Sequence, residues 1–195
     1  MFKVVYLTGA PASGKSTVTR ELQKRIPGLD VFEYGAKLAE MISSRGEGIS
    51  SHDDLRSKSA VVVTKADIDA LDEILIDYVR KNRERRHVII DSHPVTKESY
   101  GFRVTAFSQV ALKALNPTEI WVLFASAIET INRIQKASGG RPKPTEFEAD
   151  LHTQLQASVA ATYGVLTGSP VYLFDTGKSQ ESYISPMIRR LSATT

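Results

Sequence analysis

Residues 9–16 read Gly-Ala-Pro-Ala-Ser-Gly-Lys-Ser, which fits the pattern G-x-x-x-x-G-K-[ST] of a phosphate-binding loop. Its two glycines let the backbone curl so that consecutive N–H groups point inward and hold phosphate oxygens. Lys15 would reach the β- and γ-phosphates as a point charge, and the Ser16 hydroxyl can bind Mg²⁺. The pattern predicts a nucleoside triphosphate site with Mg²⁺. Its loop residues are Gly9, Ala10, Pro11, Ala12, Ser13, Gly14, Lys15, Ser16 and Thr17.

The segments on both sides of this loop have the order that such a site requires. Residues 2–8 form an apolar run rich in β-branched and aromatic side chains, which is typical of a buried parallel strand. After the loop, Val18, Leu22 and Ile26 recur on one helical face, and Pro27-Gly28 ends that helix. The sequence therefore predicts strand, loop and helix in succession.

Composition narrows the classes of protein that this chain can belong to. With 195 residues it is long enough for one domain with a large core, and we expect a single domain over residues 1–195. The chain has no cysteine, which excludes disulfides, thiolate metal sites and cysteine nucleophiles and fits a reducing, cytoplasmic setting. The first apolar run is too short for a secretory signal, and no run approaches the roughly 20 residues that span a bilayer. We expect no membrane partner.

The charge distribution does not favour a nucleic-acid partner. The formal net charge is only +3, and the chain has one cluster of basic residues, at 80–87. That cluster is an RNA or anion patch in one interpretation and the solvated end of a helix in the other. The strand-like run Val88-Ile89-Ile90 follows directly, which favours the helix end.

Strand-like runs alternate with helical stretches along the chain, which predicts an α/β fold with a parallel sheet. The helical stretches at 60–80 and 146–166 each carry an apolar stripe that we expect to face the core. We therefore predict the three-layer fold of P-loop NTPases, with a five-stranded parallel sheet flanked by helices. The five predicted strands are 3–8, 30–33, 87–91, 119–125 and 170–174.

Two side chains follow the third predicted strand, close to where the phosphate loop would lie. Asp91 closes that strand and can hold Mg²⁺, directly or through water, although an acid there could instead cap the next turn. His93 could act as a base. Transfer to another phosphate needs no base, because the acceptor oxygen is already anionic, so a positioning or structural role for His93 is favoured.

Arginines are the other candidates, because phosphoryl transfer depends on positioning and charge stabilisation. Arg133 lies on the helix after the fourth strand, and Arg141 lies in the Gly/Pro-rich segment 137–145, where a small lid would sit. A lid carrying both would exclude water from the triphosphate; the alternative is ordinary surface charge. Arg56 either binds an acceptor phosphate or pairs with the acids Asp53 and Asp54.

Taken in order, these residues resemble the archaeal-type adenylate kinases, which are nucleoside monophosphate kinases of about this length. The resemblance runs nearly end to end, and its most specific parts lie outside the phosphate loop. The matching segments are Thr8-Gly9-x-Pro11-x-x-Gly14-Lys15-Ser16-Thr17, Tyr34-Gly35, Asp54-Leu55-Arg56, Ile90-Asp91-Ser92-His93, Asn116-Pro117, Arg133 and Ala160-Ala161-Thr162-x-x-x-Leu166-x-Gly168.

The resemblance implies transfer of the γ-phosphoryl of ATP to AMP with Mg²⁺ and a closing lid, and it suggests a trimer. It implies an acceptor-binding insertion at about 34–80 and a lid at about 136–146. The donor and catalytic set that it implies is Lys15, Ser16, Thr17, Asp91, Arg133 and Arg141. On the acceptor side it implies Tyr34, Gly35 and Arg56, to which we add His93 and Arg103 as candidates.

Two departures from the family pattern bear on function. Where the family has Gly-Tyr-x-Pro-Gly-x-Pro along the acceptor site, residues 101–107 read Gly-Phe-Arg-Val-Thr-Ala-Phe. Ala137-Ser138 stands where the lid usually carries an Arg-Asp pair. These changes leave two alternatives open: a kinase for another small acceptor, and a nucleotide-dependent switch or ATPase without a small acceptor.

Overall fold

The computed structural model describes residues 2–44, 63–136 and 142–193. Its strands are β1 (Val4–Gly9), β2 (Asp30–Glu33), β3 (Val88–Asp91), β4 (Val95–Glu98), β5 (Gly101–Val104), β6 (Glu119–Phe124) and β7 (Val171–Asp175). Its helices are α1 (Lys15–Arg25), α2 (Tyr34–Ser43), α3 (Lys65–Asn82), α4 (Gln109–Leu115), α5 (Ala127–Lys136), α6 (Glu146–Thr167) and α7 (Gln180–Ser192).

Five strands form one parallel sheet in the order β2-β3-β1-β6-β7. Their bounds agree with the five strands predicted from the sequence to within one residue at each end. Successive side chains of a strand point to opposite faces, so the sheet needs cover on both. The predicted fold class, a parallel sheet flanked by helices, is therefore confirmed.

The strand residues sort into two cores by this alternation. Val4 and Tyr6 of β1 pack on one face with side chains of α3, α4 and α6. Val5 and Leu7 pack on the other face with side chains of α1 and α7. The result is three layers, with the sheet between two sets of helices.

The prediction for the buried face of α6 was wrong in part. Phe147 is 73% exposed, and Thr162 and Leu166 are exposed too. The other members of the predicted core stripe are half-buried, namely Leu151, Leu155 and Val159. The helix instead presents small and polar side chains to the core. These are Ala149, His152, Gln156, Ala160, Tyr163 and Gly164.

Hydrogen bonding and close approach explain this difference. The Gln156 side chain accepts from Thr8 Oγ1 at 2.9 Å and donates to the Val95 carbonyl at 3.2 Å, so its burial leaves neither end unpaired. A Cβ at Gly164 would lie 2.6 Å from Val171 Cγ2, so only glycine fits there without a shift. An apolar stripe cannot reveal a helix face that is buried through polar pairing.

The sequence analysis missed the hairpin formed by β4 and β5. β4 and β5 pair antiparallel, with Val95 opposite Val104 and Glu98 opposite Gly101. The sequence predicted no strand here, because each strand has only four residues and little apolar alternation. The hairpin packs on α6 through Phe102, whose ring meets the His152 ring edge to face with 5.1 Å between the ring centroids.

A buried ion-pair network ties the amino ends of β1 and β6 to α7. The carboxylate of Glu119 accepts from Lys3 Nζ at 2.7 Å, Trp121 Nε1 at 2.8 Å and Arg190 Nε at 2.8 Å. Burial favours the neutral acid, but the hydrogen bonds from Arg190, Lys3 and Trp121 outweigh it and lower the pKa of Glu119. Because the folded-state pKa is depressed, this stabilisation is present above the unfolded-state pKa and is lost as the pH falls through the folded one.

Glu119→Gln is expected to lower the free energy of unfolding at pH 7 by about 3 kcal/mol, because it leaves Lys3 buried without its counter-charge. The difference from wild type should shrink as the pH falls through the depressed folded-state pKa of Glu119, because wild-type Glu119 then becomes neutral too. Urea unfolding at several pH values measures this. Glu40→Gln, at an exposed pair with Lys37, is the control and should cost less than about 0.5 kcal/mol. A Glu119 effect that does not change with pH would contradict the account.

Candidate active site

The phosphate loop lies at the carboxyl end of the central strand. The chain leaving β1 continues to β2 on one side of the sheet, whereas the chain leaving its neighbour β6 continues to β7 on the other side, so the two connections diverge and open a crevice there. The loop runs from Gly9 into α1, which begins at Lys15 with Gly14 as its N-cap. The positive end of the α1 dipole therefore adds to the loop's affinity for anions.

The loop backbone has the tight curl that phosphate binding requires. A Cβ at Gly9 would lie 2.5 Å from Ser13 Oγ and 2.6 Å from the Leu123 carbonyl oxygen, so the loop closes over a position that only glycine can fill. Ala12 (φ 61°) and Gly14 (φ 90°) both adopt the left-handed region. Within the described residues, Ser13 Oγ is buried and makes no hydrogen bond. A cradle of this kind fits a polyphosphate.

Three polar side chains of the loop lie on the first turn of α1. Lys15 Nζ donates to the Gly9 carbonyl at 3.2 Å, which holds the ammonium over the loop. The side chains of Ser16 and Thr17 are exposed on the first turn of α1, where a bound nucleotide or cation could reach them.

Asp91 ends β3 beside this loop, with Leu7 and Glu33 as its register partners on the neighbouring strands. Burial raises the pKa of Asp91, while the nearby charge of Lys15 lowers it and that of Glu33 raises it. Across residues 2–44, 63–136 and 142–193, no three His, Cys, Asp or Glu side chains cluster closely enough to hold a metal ion alone. One carboxylate with the Ser16 hydroxyl suits Mg²⁺ that also takes phosphate oxygens as ligands.

Arg133 lies against the outside of the phosphate loop. Its Nη1 donates to the Ala12 carbonyl at 3.2 Å and to Thr176 Oγ1 at 3.1 Å, and its Nη2 donates to the Thr176 carbonyl at 2.7 Å. Its Nε donates to Glu129 one turn earlier on α5, at 2.8 Å. The structure thus places this predicted side chain at the site, held by the loop and by the end of β7.

Thr176 is a site residue that the sequence analysis missed. It directly follows β7, and its single hydroxyl proton is shared between the Ser13 carbonyl, 2.9 Å from Oγ1, and the Phe124 carbonyl, 3.0 Å from Oγ1. The carboxyl ends of parallel strands meet at one edge of a sheet. The sequence analysis used this rule for Asp91 at the end of β3. Used for β7 as well, the rule would have placed Thr176 at the site.

On the predicted acceptor side, Tyr34 follows β2 and opens α2, with Gly35 in the same first turn. The Tyr34 hydroxyl donates to Asp72 Oδ1 on α3 at 2.7 Å, and its ring meets the Phe107 ring edge to face at 5.5 Å. Burial raises the pKa of Asp72, and the bond from Tyr34 offsets part of that rise. The hydroxyl is therefore engaged with the protein, and the ring joins an aromatic cluster.

The remaining predicted residues are placed less centrally or fall outside the described ranges. His93 lies half-buried between β3 and β4. Arg103 lies on β5, where its Nε is 3.1 Å from Glu98 Oε1 on the paired strand. Arg56 and Arg141 lie outside the described residues, as do Ala137 and Ser138.

A buried polar chain joins the donor loop to the hairpin. Thr8, just before the loop, donates to Gln156, and Gln156 donates to the Val95 carbonyl on β4. His152 Nε2 lies 3.0 Å from the same carbonyl. Burial lowers the pKa of His152, and the nearby charges of Lys15 and Lys97 lower it too, although the bond to Val95 opposes them. This histidine is thus a buried contact between α6 and the hairpin.

The parallel sheet and the phosphate loop at its divergence point define an α/β protein of the P-loop NTPase class. A family model described as an AAA domain matches residues 8–150, and the chain belongs to that family. In the part of the chain that the structure describes, no helix is long and apolar enough to cross a membrane.

Curated relatives carry the name that the sequence resemblance predicts. The chain is 29% identical over 188 residues to the adenylate kinase of Methanothermobacter thermautotrophicus, covering 95% of this chain and 97% of the relative. It is 27% identical over 175 residues to the adenylate kinase of Methanopyrus kandleri, covering 88% of each.

Solved structures share the fold. A shikimate kinase from Acinetobacter baumannii, in complex with shikimate, has a TM-score of 0.60 at 9% identity and covers 97% of this chain and 93% of its own. An unliganded sugar kinase from Janibacter sp. HTCC2649 has a TM-score of 0.56 at 16% identity and full coverage of both chains. With these relatives, the fold and the loop identify the chain as a nucleotide kinase, a phosphotransferase of the nucleoside monophosphate kinase type.

Gly9→Ala is expected to weaken ATP binding at least tenfold, because the new Cβ meets the Leu123 carbonyl, which is backbone and cannot move aside cheaply. Calorimetric titration with ATP and Mg²⁺ measures this. Gly28→Ala is the matched control. Its Cβ meets nothing within 4 Å, and its φ of 78° carries a backbone penalty away from the site, so it should lower stability by about 1 kcal/mol and leave affinity unchanged. Equal ATP affinities of the two variants would contradict the claim that only glycine fits at position 9 of the phosphate loop.

Tyr34→Phe is expected to lower the free energy of unfolding by about 1–3 kcal/mol, because Asp72 loses its hydrogen-bond donor in a buried position. Chemical denaturation checks the value. Tyr100→Phe, at a tyrosine that is 72% exposed, should change stability by less than about 0.5 kcal/mol. A Tyr34→Phe protein as stable as wild type would show that the Asp72 contact contributes nothing.

Proposed function

We propose that this chain transfers the γ-phosphoryl group of ATP to a nucleoside monophosphate, with AMP as the first candidate, so that ATP and AMP give two ADP. One observation carries the donor half: Lys15, Asp91 and Arg133 converge on a phosphate loop closed around Gly9. The names of the relatives and the Tyr34-Gly35 and Asp91-Ser92-His93 matches support the acceptor.

In this proposal the loop and the α1 amino terminus hold the β-phosphate, and Lys15 bridges the β- and γ-phosphates. Ser16 and Asp91 would hold Mg²⁺, which neutralises charge on the phosphate oxygens when it is bound. Arg133 contributes a fixed positive charge from outside the loop. Arg141 and Arg56 remain predictions from the sequence, for the lid and for the acceptor phosphate respectively.

The chemical step needs no side-chain base. An anionic oxygen of the acceptor phosphate forms a bond to Pγ, and the bond from Pγ to the β,γ-bridging oxygen breaks. ADP leaves from the donor, and the acceptor becomes a diphosphate. Because charge spreads over the transferred group, the protein contributes chiefly position and positive charge.

The acceptor side includes the carboxyl ends of β3, which pairs with the loop strand β1, and of β2, which pairs with β3. We propose that residues of about 34–80 bind the acceptor and that about 136–146 act as the lid, within one domain. A trimer and a cytoplasmic location remain predictions.

A kinase for another small acceptor is the second candidate. It is favoured by the segment 101–107, which departs from the adenylate kinase pattern and begins as strand β5 of the hairpin. Arg103 in this segment is paired with Glu98, so its charge is already partly balanced.

The test is turnover with ATP and Mg²⁺ against a panel of nucleoside monophosphates and small hydroxyl acceptors. We expect ATP and AMP to disappear in equal amounts as ADP forms. Lys15→Ala should lose at least 100-fold in kcat/KM, because the ammonium acts on the transferring phosphates. Lys24→Ala is the matched control, since that lysine lies on the same helix and is 66% exposed. ATP hydrolysis that is indifferent to every acceptor would overturn the proposal and favour a switch or ATPase.

A further inference from the structure

Two consecutive carbonyl groups of the phosphate loop are held from outside by side chains. The Ala12 carbonyl accepts from Arg133 Nη1 at 3.2 Å, and the Ser13 carbonyl accepts from Thr176 Oγ1 at 2.9 Å. Ala12 has a φ of 61°, which lies in the left-handed region that residues other than glycine rarely adopt. The loop conformation is therefore imposed by its surroundings, because local preference opposes it.

Thr176 is well suited to impose it, because it is fixed at several points. It is only 3% exposed, and its backbone N–H donates to the Phe124 carbonyl at 2.8 Å, which anchors it to the end of β6. Its carbonyl and its Oγ1 both accept from Arg133. One residue thus connects the ends of β6 and β7, the Arg133 guanidinium and the loop.

The bond to the Ser13 carbonyl also orients the N–H of the same peptide group, which joins Ser13 to Gly14. In a planar trans peptide the C=O and the following N–H point in opposite directions. Fixing the Ser13 carbonyl toward Thr176 therefore directs the Gly14 N–H away from Thr176. That N–H belongs to the anion-binding series of the loop. Without the hydroxyl, this peptide could rotate, and nucleotide binding would have to restore its orientation.

We propose that Thr176 is a positioning residue for the donor phosphates, whose hydroxyl holds the peptide group between Ser13 and Gly14 in its binding orientation before the nucleotide arrives. This inference rests on the proposed function, because it assumes that the loop receives a polyphosphate. The loop holds the donor in both the ground and the transition state. Loss of the hydroxyl should therefore weaken binding and raise KM for ATP more than it lowers kcat.

The test compares Thr176→Val, which keeps the shape and removes the hydroxyl, with Thr176→Ser, which keeps the hydroxyl. Calorimetric titration with ATP and Mg²⁺, and separately with inorganic pyrophosphate, gives the affinities. We expect Thr176→Val to weaken both ligands about 3- to 10-fold, as the loss of one hydrogen bond implies, and Thr176→Ser to remain within about twofold of wild type. At saturating substrates, kcat should stay within about twofold for both variants.

Two results would overturn the inference. One is wild-type affinity in Thr176→Val; the other is equal weakening in Thr176→Ser, which would assign the effect to the lost methyl group. Circular dichroism checks that each variant is folded, and Thr176→Ala replaces the valine variant with the same expected weakening if that variant does not fold. Since binding is measured without an acceptor, failure of the acceptor panel leaves this test intact. Active AMP phosphorylation with unaltered Thr176→Val affinity would reject this inference alone.

Discussion

Everything in this site depends on the pairing of β1 with a parallel neighbour on each side. β1 is buried along its whole length and is hydrogen-bonded to β3 on one side and to β6 on the other. This pairing fixes the position of its carboxyl end relative to both neighbours. The phosphate loop starts there, with Gly9 packed against the Leu123 carbonyl of β6. The same pairing brings Asp91, at the end of β3, to the other side of the loop. A shift in the β1–β3 register would move the acid relative to the loop, and a shift in the β1–β6 register would remove the packing of Gly9 on the Leu123 carbonyl.

Positive charge is concentrated on the donor half of the site by separate parts of the chain. Lys15 comes from the loop, Arg133 from α5, and a partial positive charge from the first turn of α1. Asp91 is the acid among them, and its pKa reflects burial opposed by Lys15. This balance suits a ligand with several negative charges that arrives with a divalent cation. Because Arg133 donates to the Ala12 carbonyl and to Thr176, its charge is held in place before any ligand binds.

The sequence predicted those parts of the fold and site that local patterns encode. The five parallel strands, the loop and Asp91 followed from apolar runs and from one motif whose backbone geometry is fixed by glycine. The hairpin β4–β5 did not follow, because its strands are short and lie against α6 through His152 and Phe102. The most buried face of α6 was not predicted, because it carries Gln156, a polar residue that is buried through its hydrogen bonds to Thr8 and Val95. The position of Thr176 at the end of β7 could have been predicted, but its bonds to Ser13, Phe124 and Arg133 could not, because these partners come together only in the folded chain.

The central claim is that this loop serves phosphoryl transfer between two nucleotides, and the reverse direction tests it most directly. The protein is mixed with Mg²⁺ and ADP as the sole nucleotide, and the products are followed by phosphorus NMR. The account predicts that ATP and AMP appear in equal amounts without inorganic phosphate, since one ADP donates its β-phosphoryl group to the other. ADP that persists unchanged, or that yields AMP and inorganic phosphate without ATP, would contradict it.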